Sequence, residues 1–140
     1  MDVQVYQEVN KIIETLHGDN WNSHSLQMLV ASQGKLAALL ANLNEDAAKA
    51  RKEFDLMETH VKMKEAEMYL ENRREGKTEN ESKALARSKS ADGWKAVIEK
   101  KNAYTSISGL TEAVITLITA CQVTIKNLGK ENVYSGHVDN

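Results

Sequence analysis

From Ile107 to Leu128 the apolar residues Ile107, Leu110, Val114, Leu117, Cys121, Ile125 and Leu128 recur at spacings of 3, 4, 3, 4, 4 and 3. Such spacing keeps one face of an α-helix apolar, whereas the faces of a β-strand alternate at every residue. It predicts a long helix with a heptad seam. The surrounding chain offers little to stop helices: none of the 140 residues is proline, and Ala, Leu, Lys and Glu are abundant. Aromatics are few (Tyr6, Trp21, Phe54, Tyr69, Trp94, Tyr104 and Tyr134), and no alternating β-branched run is bounded by turn residues. The fold class expected is all-α.

A first short helix is predicted over Val3 to Leu16, with Val5, Val9, Ile12, Ile13 and Leu16 on one face, ended by Gly18, Asp19 and Asn20. Asn22 or Ser23 is placed to cap the next. Its apolar face runs through Leu26, Leu29, Val30, Leu36, Ala37, Leu40 and Leu43, and it continues, far more polar, to Tyr69 and Gly76. Asn44, Glu45 and Asp46 mark a point where it either kinks or restarts. Glycine at 76 fits a helix C-terminus, and Thr78 followed by Glu81 has the spacing of a capping box. Gly93 is expected to interrupt or loosen the segment that follows. The architecture expected is a long antiparallel helical hairpin turning at Gly76 to Thr78, with a short N-terminal helix before it. Residues 1–129 form one helical domain and 130–140 a loose tail. Wide apolar stripes at the base predict burial by self-association, with the seam from Ile107 to Leu128 expected to serve as the oligomerisation surface or as core.

The single cysteine excludes an internal disulfide, and no signal peptide or long apolar span is visible, so a reducing cytoplasm is the expected location, with no membrane. Catalysis finds no support. Gly76-Lys77-Thr78 resembles the end of a phosphate-binding loop, but Glu71 stands where the first glycine belongs and no strand precedes it. Glu14 and His17 have a di-metal spacing without the second pair such a site needs, and His24, His60 and His137 are scattered singly, so no metal is expected. Cys121 sits in the apolar seam, where a thiol packs and does not react. Met28, Met57, Met63 and Met68 fill gaps between helices. No nucleophile, base and orienting residue combine. Neither enzyme activity nor a cofactor is expected.

Charge is the informative remainder. Nine of the eighteen Lys and Arg lie between Arg73 and Lys101, against five acidic residues, so this stretch carries net positive charge in a chain of net −2. Charge of one sign gathered in one region attracts a polyanion. The residues are Arg73, Arg74, Lys77, Lys83, Arg87, Lys89, Lys95, Lys100 and Lys101. Lys83 and Arg87 share a helix face, and Arg73, Arg74 and Lys77 flank the turn. Tyr69 and Trp94 lie close enough in sequence to stack on unpaired bases, as aromatics do in single-strand binding, or Trp94 packs into the hairpin. A solvated helix surface carries the same charges. No helix-turn-helix or zinc pattern accompanies them, which argues against sequence-specific reading of a duplex.

The order of these features resembles the UvsY-type recombination mediators of tailed bacteriophages. A long helix ends in Tyr69-Leu70-Glu71-Asn72-Arg73-Arg74. A short polar turn follows, then Lys83-Ala84-Leu85-Ala86-Arg87-Ser88-Lys89-Ser90-Ala91-Asp92, and last an apolar helix closing on Ile125-Lys126-Asn127-Leu128. The resemblance covers roughly residues 24 to 131 and rests on length, element order and spaced residues. It implies a ring-like homo-oligomer that binds single-stranded DNA and helps a strand-exchange recombinase displace the single-strand binding protein, in the host cytoplasm. It implies DNA contacts at Lys62, Lys64, Arg73, Arg74, Lys83 and Arg87, to which the charge pattern adds Lys77 and Lys89. Lys62 and Lys64 are interleaved with Glu58, Glu65 and Glu67, a departure from a strongly basic groove. The other classes open to such a chain are a phage structural or assembly chaperone and a small helical inhibitor of a host protein.

Overall fold

Helix α1 spans Val3–Leu16 and turns Val9, Ile12 and Leu16 inward, at the spacings of 3 and 4 that put them on one side. This is a computed structural model. It describes residues 3–16 and 25–138, with side chains as far as Lys130. The turn expected at Gly18 to Asn20, the caps at Asn22 or Ser23, and Trp21, His17 and His24 lie outside the described residues.

Helix α2 (Leu26–Arg74) starts instead at Ser25, whose hydroxyl accepts a hydrogen bond from the Met28 backbone N–H at 3.1 Å. It passes Asn44 to Asp46 as regular helix, since no proline there removes a bond from the ladder. In its first half Leu29, Ser32, Leu36, Leu39 and Leu43 are buried, a 3, 4, 3, 4 repeat. The apolar face thus includes Leu39 and leaves Leu26, Val30 and Ala37 exposed, because the true repeat is tighter than the wide stripe read from the sequence.

The turn is where local chemistry placed it. The Gly76 N–H donates to the Arg73 carbonyl and the Lys77 N–H to the Asn72 carbonyl, both at 3.1 Å, while Gly76 takes a φ of +85°. These two bonds form a Schellman motif, which needs a left-handed residue at its centre. One residue on, Thr78 caps helix α3 (Glu79–Lys89), its hydroxyl accepting from Glu81 N–H at 3.3 Å while a Glu81 carboxylate oxygen accepts from Thr78 N–H at 3.2 Å.

Helix α4 (Ala91–Val138) follows a break at Ser90. Gly93 lies inside α4 and does not interrupt it. A Cβ at this position would stand 3.0 Å from Val61 Cγ2, so glycine here permits close approach to α2. The expected loose tail is helical as far as Val138.

The expected all-α hairpin is present, and no strand occurs among the described residues. The chain divides into two compact units. Unit 1 comprises residues 1–46 and 107–140, and its core gathers the buried faces of α1, early α2 and late α4. Ile107, Val114 and Cys121 are enclosed there, while Leu110, Leu117, Ile125 and Leu128 are half-buried. Unit 2 comprises residues 47–106. It pairs late α2 with α3 and early α4 in antiparallel register, with Glu53 meeting Lys100, Val61 meeting Gly93 and Asn72 meeting Ser82. Ser82 and Ala86 form the buried face of α3, and the C-cap Ser90 continues that spacing of four.

Candidate nucleic-acid interface

All nine clustered cations and all ten residues expected to touch DNA fall within unit 2. Their surroundings divide them. Lys83 Nζ reaches Glu79 Oε1 at 2.8 Å one helical turn away; the hydrogen bond and charge attraction hold the Glu79 carboxyl below its ordinary range and the Lys83 ammonium above its own. Lys62 meets Glu58 at 3.2 Å and Lys77 meets Glu75 at 3.1 Å. Exposed pairs of this kind contribute little to stability. Their consequence here is electrostatic, since each offsets a charge otherwise presented to a polyanion.

Arg87 and Trp94 are engaged together across the hairpin. The Trp94 Nε1–H donates to Glu65 Oε2 at 2.6 Å, Arg87 Nη1 lies 3.7 Å from the same oxygen, and the guanidinium sits 4.6 Å from the centre of the indole ring. The indole is thereby held at its N–H by a carboxylate and on one face by a cation. Packing into the hairpin, one of the two roles open to Trp94, is the arrangement seen. Tyr69 is half-buried in a cleft of about 290 Å³ between α2 and α3, beside Glu65, Ala66, Lys83 and Ala86.

Among the described residues Lys64, Arg73, Arg74 and Lys89 take part in no ion pair, and Arg73 donates to the Lys77 carbonyl at 3.1 Å. Lys64 and Lys89, distant in sequence, line one cleft of about 210 Å³ where α2 faces the α3–α4 joint, together with His60 and Ser90. Ser90 is 5% exposed, and its hydroxyl has no hydrogen-bond partner. His60 was set aside in the sequence as a lone histidine. Its spacing of four from Lys64, on the same helix face, was the signal that linked them.

The remaining motifs resolve simply. Gly76-Lys77-Thr78 is a helix C-cap followed by an N-cap. Among the described residues no group of three His, Cys, Asp or Glu could hold a metal. Cys121 is enclosed in unit 1, where burial pushes its thiol pKa up. Among the described residues one helix segment, within Ala91–Lys130, is long and apolar enough by composition to cross a membrane.

Comparison of the chain with protein-family models, with curated proteins and with solved structures found no match.

Proposed function

We propose that this chain is a non-enzymatic, self-associating helical protein that binds the phosphate backbone of single-stranded DNA through unit 2. The observation that carries the proposal is the convergence of Lys64 and Lys89 with His60 at one cleft, in a unit that also holds Arg73 and Arg74 outside any ion pair. Cations without carboxylate partners release counterions when they meet phosphate and so provide salt-dependent affinity. The resemblance to UvsY-type mediators extends the proposal to a role in recombination, in which the bound chain helps a strand-exchange recombinase replace the single-strand binding protein. Tyr69, beside Lys83 in the α2–α3 cleft, is the aromatic best placed to meet a base.

The test is binding to oligo-dT across a salt series. The log–log slope should be about −0.7 per phosphate neutralised. Replacing Lys64, Arg73, Arg74 and Lys89 together by Ala should flatten it in proportion to the phosphates no longer neutralised, whereas replacing the ion-paired Lys62, Lys77 and Lys83 should change it less. A quadruple variant that binds as well as the parent at every salt concentration overturns the proposal. A second reading, a structural or assembly chaperone, is favoured by one observation: four of the expected DNA contacts are already paired with carboxylates. Loss of salt dependence in the parent would move that reading ahead.

A further inference from the structure

Helix α4 has one apolar seam that unit 1 encloses and, beside it, an exposed stripe on which Ile115 and Val123 stand among threonines. The seam of Ile107, Val114 and Cys121 is enclosed within unit 1. A second stripe, Glu112, Ile115, Thr116, Thr119, Gln122, Val123 and Lys126, is exposed along its whole length, with Ile115 47% and Val123 54% exposed. Between Glu112 and Lys126 there is no charged residue. The threonines on this stripe do not keep it polar. Thr116 donates its hydroxyl proton to the Glu112 carbonyl and Thr119 to the Ile115 carbonyl, each at 3.0 Å. With those donors satisfied inside the helix, the two threonines present methyl groups and can be covered without leaving a hydroxyl proton unpaired, while the Gln122 amide lies on the same stripe.

We infer that this stripe is the surface on which a second copy of the chain docks, antiparallel, about a two-fold axis at Thr119. The inference rests on the proposal that the chain self-associates and is independent of DNA binding. The sequence is arranged symmetrically about that residue. Ile115 and Val123 lie four positions to either side, and Glu112 and Lys126 seven to either side. Two antiparallel α4 helices centred there set Ile115 against the other copy's Val123 and Glu112 against the other copy's Lys126, twice over by symmetry. A parallel pairing would set Glu112 against Glu112 and Lys126 against Lys126. Such like-charge juxtaposition is unfavourable and selects the antiparallel orientation. Neither Glu112 nor Lys126 takes part in an ion pair within the described residues, so both are available.

A bilayer fits this face less well. The wider segment within Ala91–Lys130 has the length and composition of a span, but on this exposed face Glu112 and Lys126 stand about 21 Å apart along the helix, both within the roughly 30 Å of a hydrocarbon core. The same compact unit also carries Glu8, Lys11, Glu14 and Lys35, all exposed. Insertion would bring these charges along.

The test uses the full chain and sedimentation equilibrium at fixed salt. Glu112→Lys alone and Lys126→Glu alone should each weaken self-association about tenfold or more, because each creates like-charge contacts. The double variant carrying both changes restores opposite charges and should recover the parent's association to within roughly threefold. Both side chains are exposed, so the far-ultraviolet circular dichroism should not change. A chain carrying Thr119→Cys should cross-link to a second copy of itself through that position with a short bismaleimide, with the enclosed Cys121 of the parent as the unreactive control. A monomeric parent overturns this inference and the self-association proposal together. A multimeric parent indifferent to the single charge reversals overturns this face alone. Failure of the double variant to recover, or flotation of the parent with phosphatidylcholine vesicles, overturns the antiparallel pair.

Discussion

Gly93→Ala isolates the contact that holds α4 against α2 in unit 2. Two effects oppose each other. Gly93 is the third residue of α4, where the added methyl should stabilise by at most the roughly 1 kcal/mol that separates glycine from alanine in a helix interior. Against this, the new Cβ would stand 3.0 Å from Val61 Cγ2 and 3.3 Å from Val61 Cγ1. Val61 is only 5% exposed and β-branched, so it has little rotameric freedom with which to yield. Relief then requires the helices to part, at a cost of about 1–3 kcal/mol for overpacking. Gly109, in the same helix, is the internal control, because a Cβ there meets nothing within 4 Å. Gly109→Ala should therefore gain the full helix-propensity term. The difference between the two variants, about 1–3 kcal/mol, reports mainly the contact, and a cycle with Val61→Ala cancels the remaining propensity term. Urea unfolding followed by circular dichroism at one protein concentration gives the midpoints and slopes required. In a Val61→Ala background, Gly93→Ala should become stabilising, with a coupling of about 1–3 kcal/mol. Equal midpoint shifts for Gly93→Ala and Gly109→Ala, or a coupling near zero, would refute the close approach.

Two further perturbations test the turn and the core. Gly76→Ala meets no steric neighbour but must hold a φ of +85°, so it should destabilise by about 1–2 kcal/mol, measured by the same urea midpoints. Cys121 should resist alkylation by iodoacetamide at neutral pH and react on unfolding. Burial raises its pKa, so the reactive thiolate is scarcer than in a free thiol at neutral pH, and labelling should increase as pH rises. Rapid labelling of the folded chain at pH 7 would contradict the enclosed position.

The sequence alone was sufficient wherever the physics is local. The turn at Gly76 to Thr78 was legible because a Schellman motif and a capping box each involve only neighbours in the chain, and a left-handed residue there calls for glycine. The heptad seam was legible because helix periodicity depends only on spacing. The pairing of Lys62 with Glu58 was legible as interleaved charge, and that of Lys83 with Glu79 was present as a spacing of four, although net charge over the Arg73 to Lys101 stretch was read in its place. Tertiary structure decided what depends on helix register across the hairpin. Glu65 meets both Trp94 and Arg87, His60 and Lys64 face Lys89, and Gly93 admits Val61, and none of these follows from spacing along one helix. Which apolar residues of α4 the chain itself covers, and that Ile115 and Val123 stay exposed, was likewise undetermined by periodicity. A periodic pattern identifies a face, but only a neighbouring helix can remove that face from water.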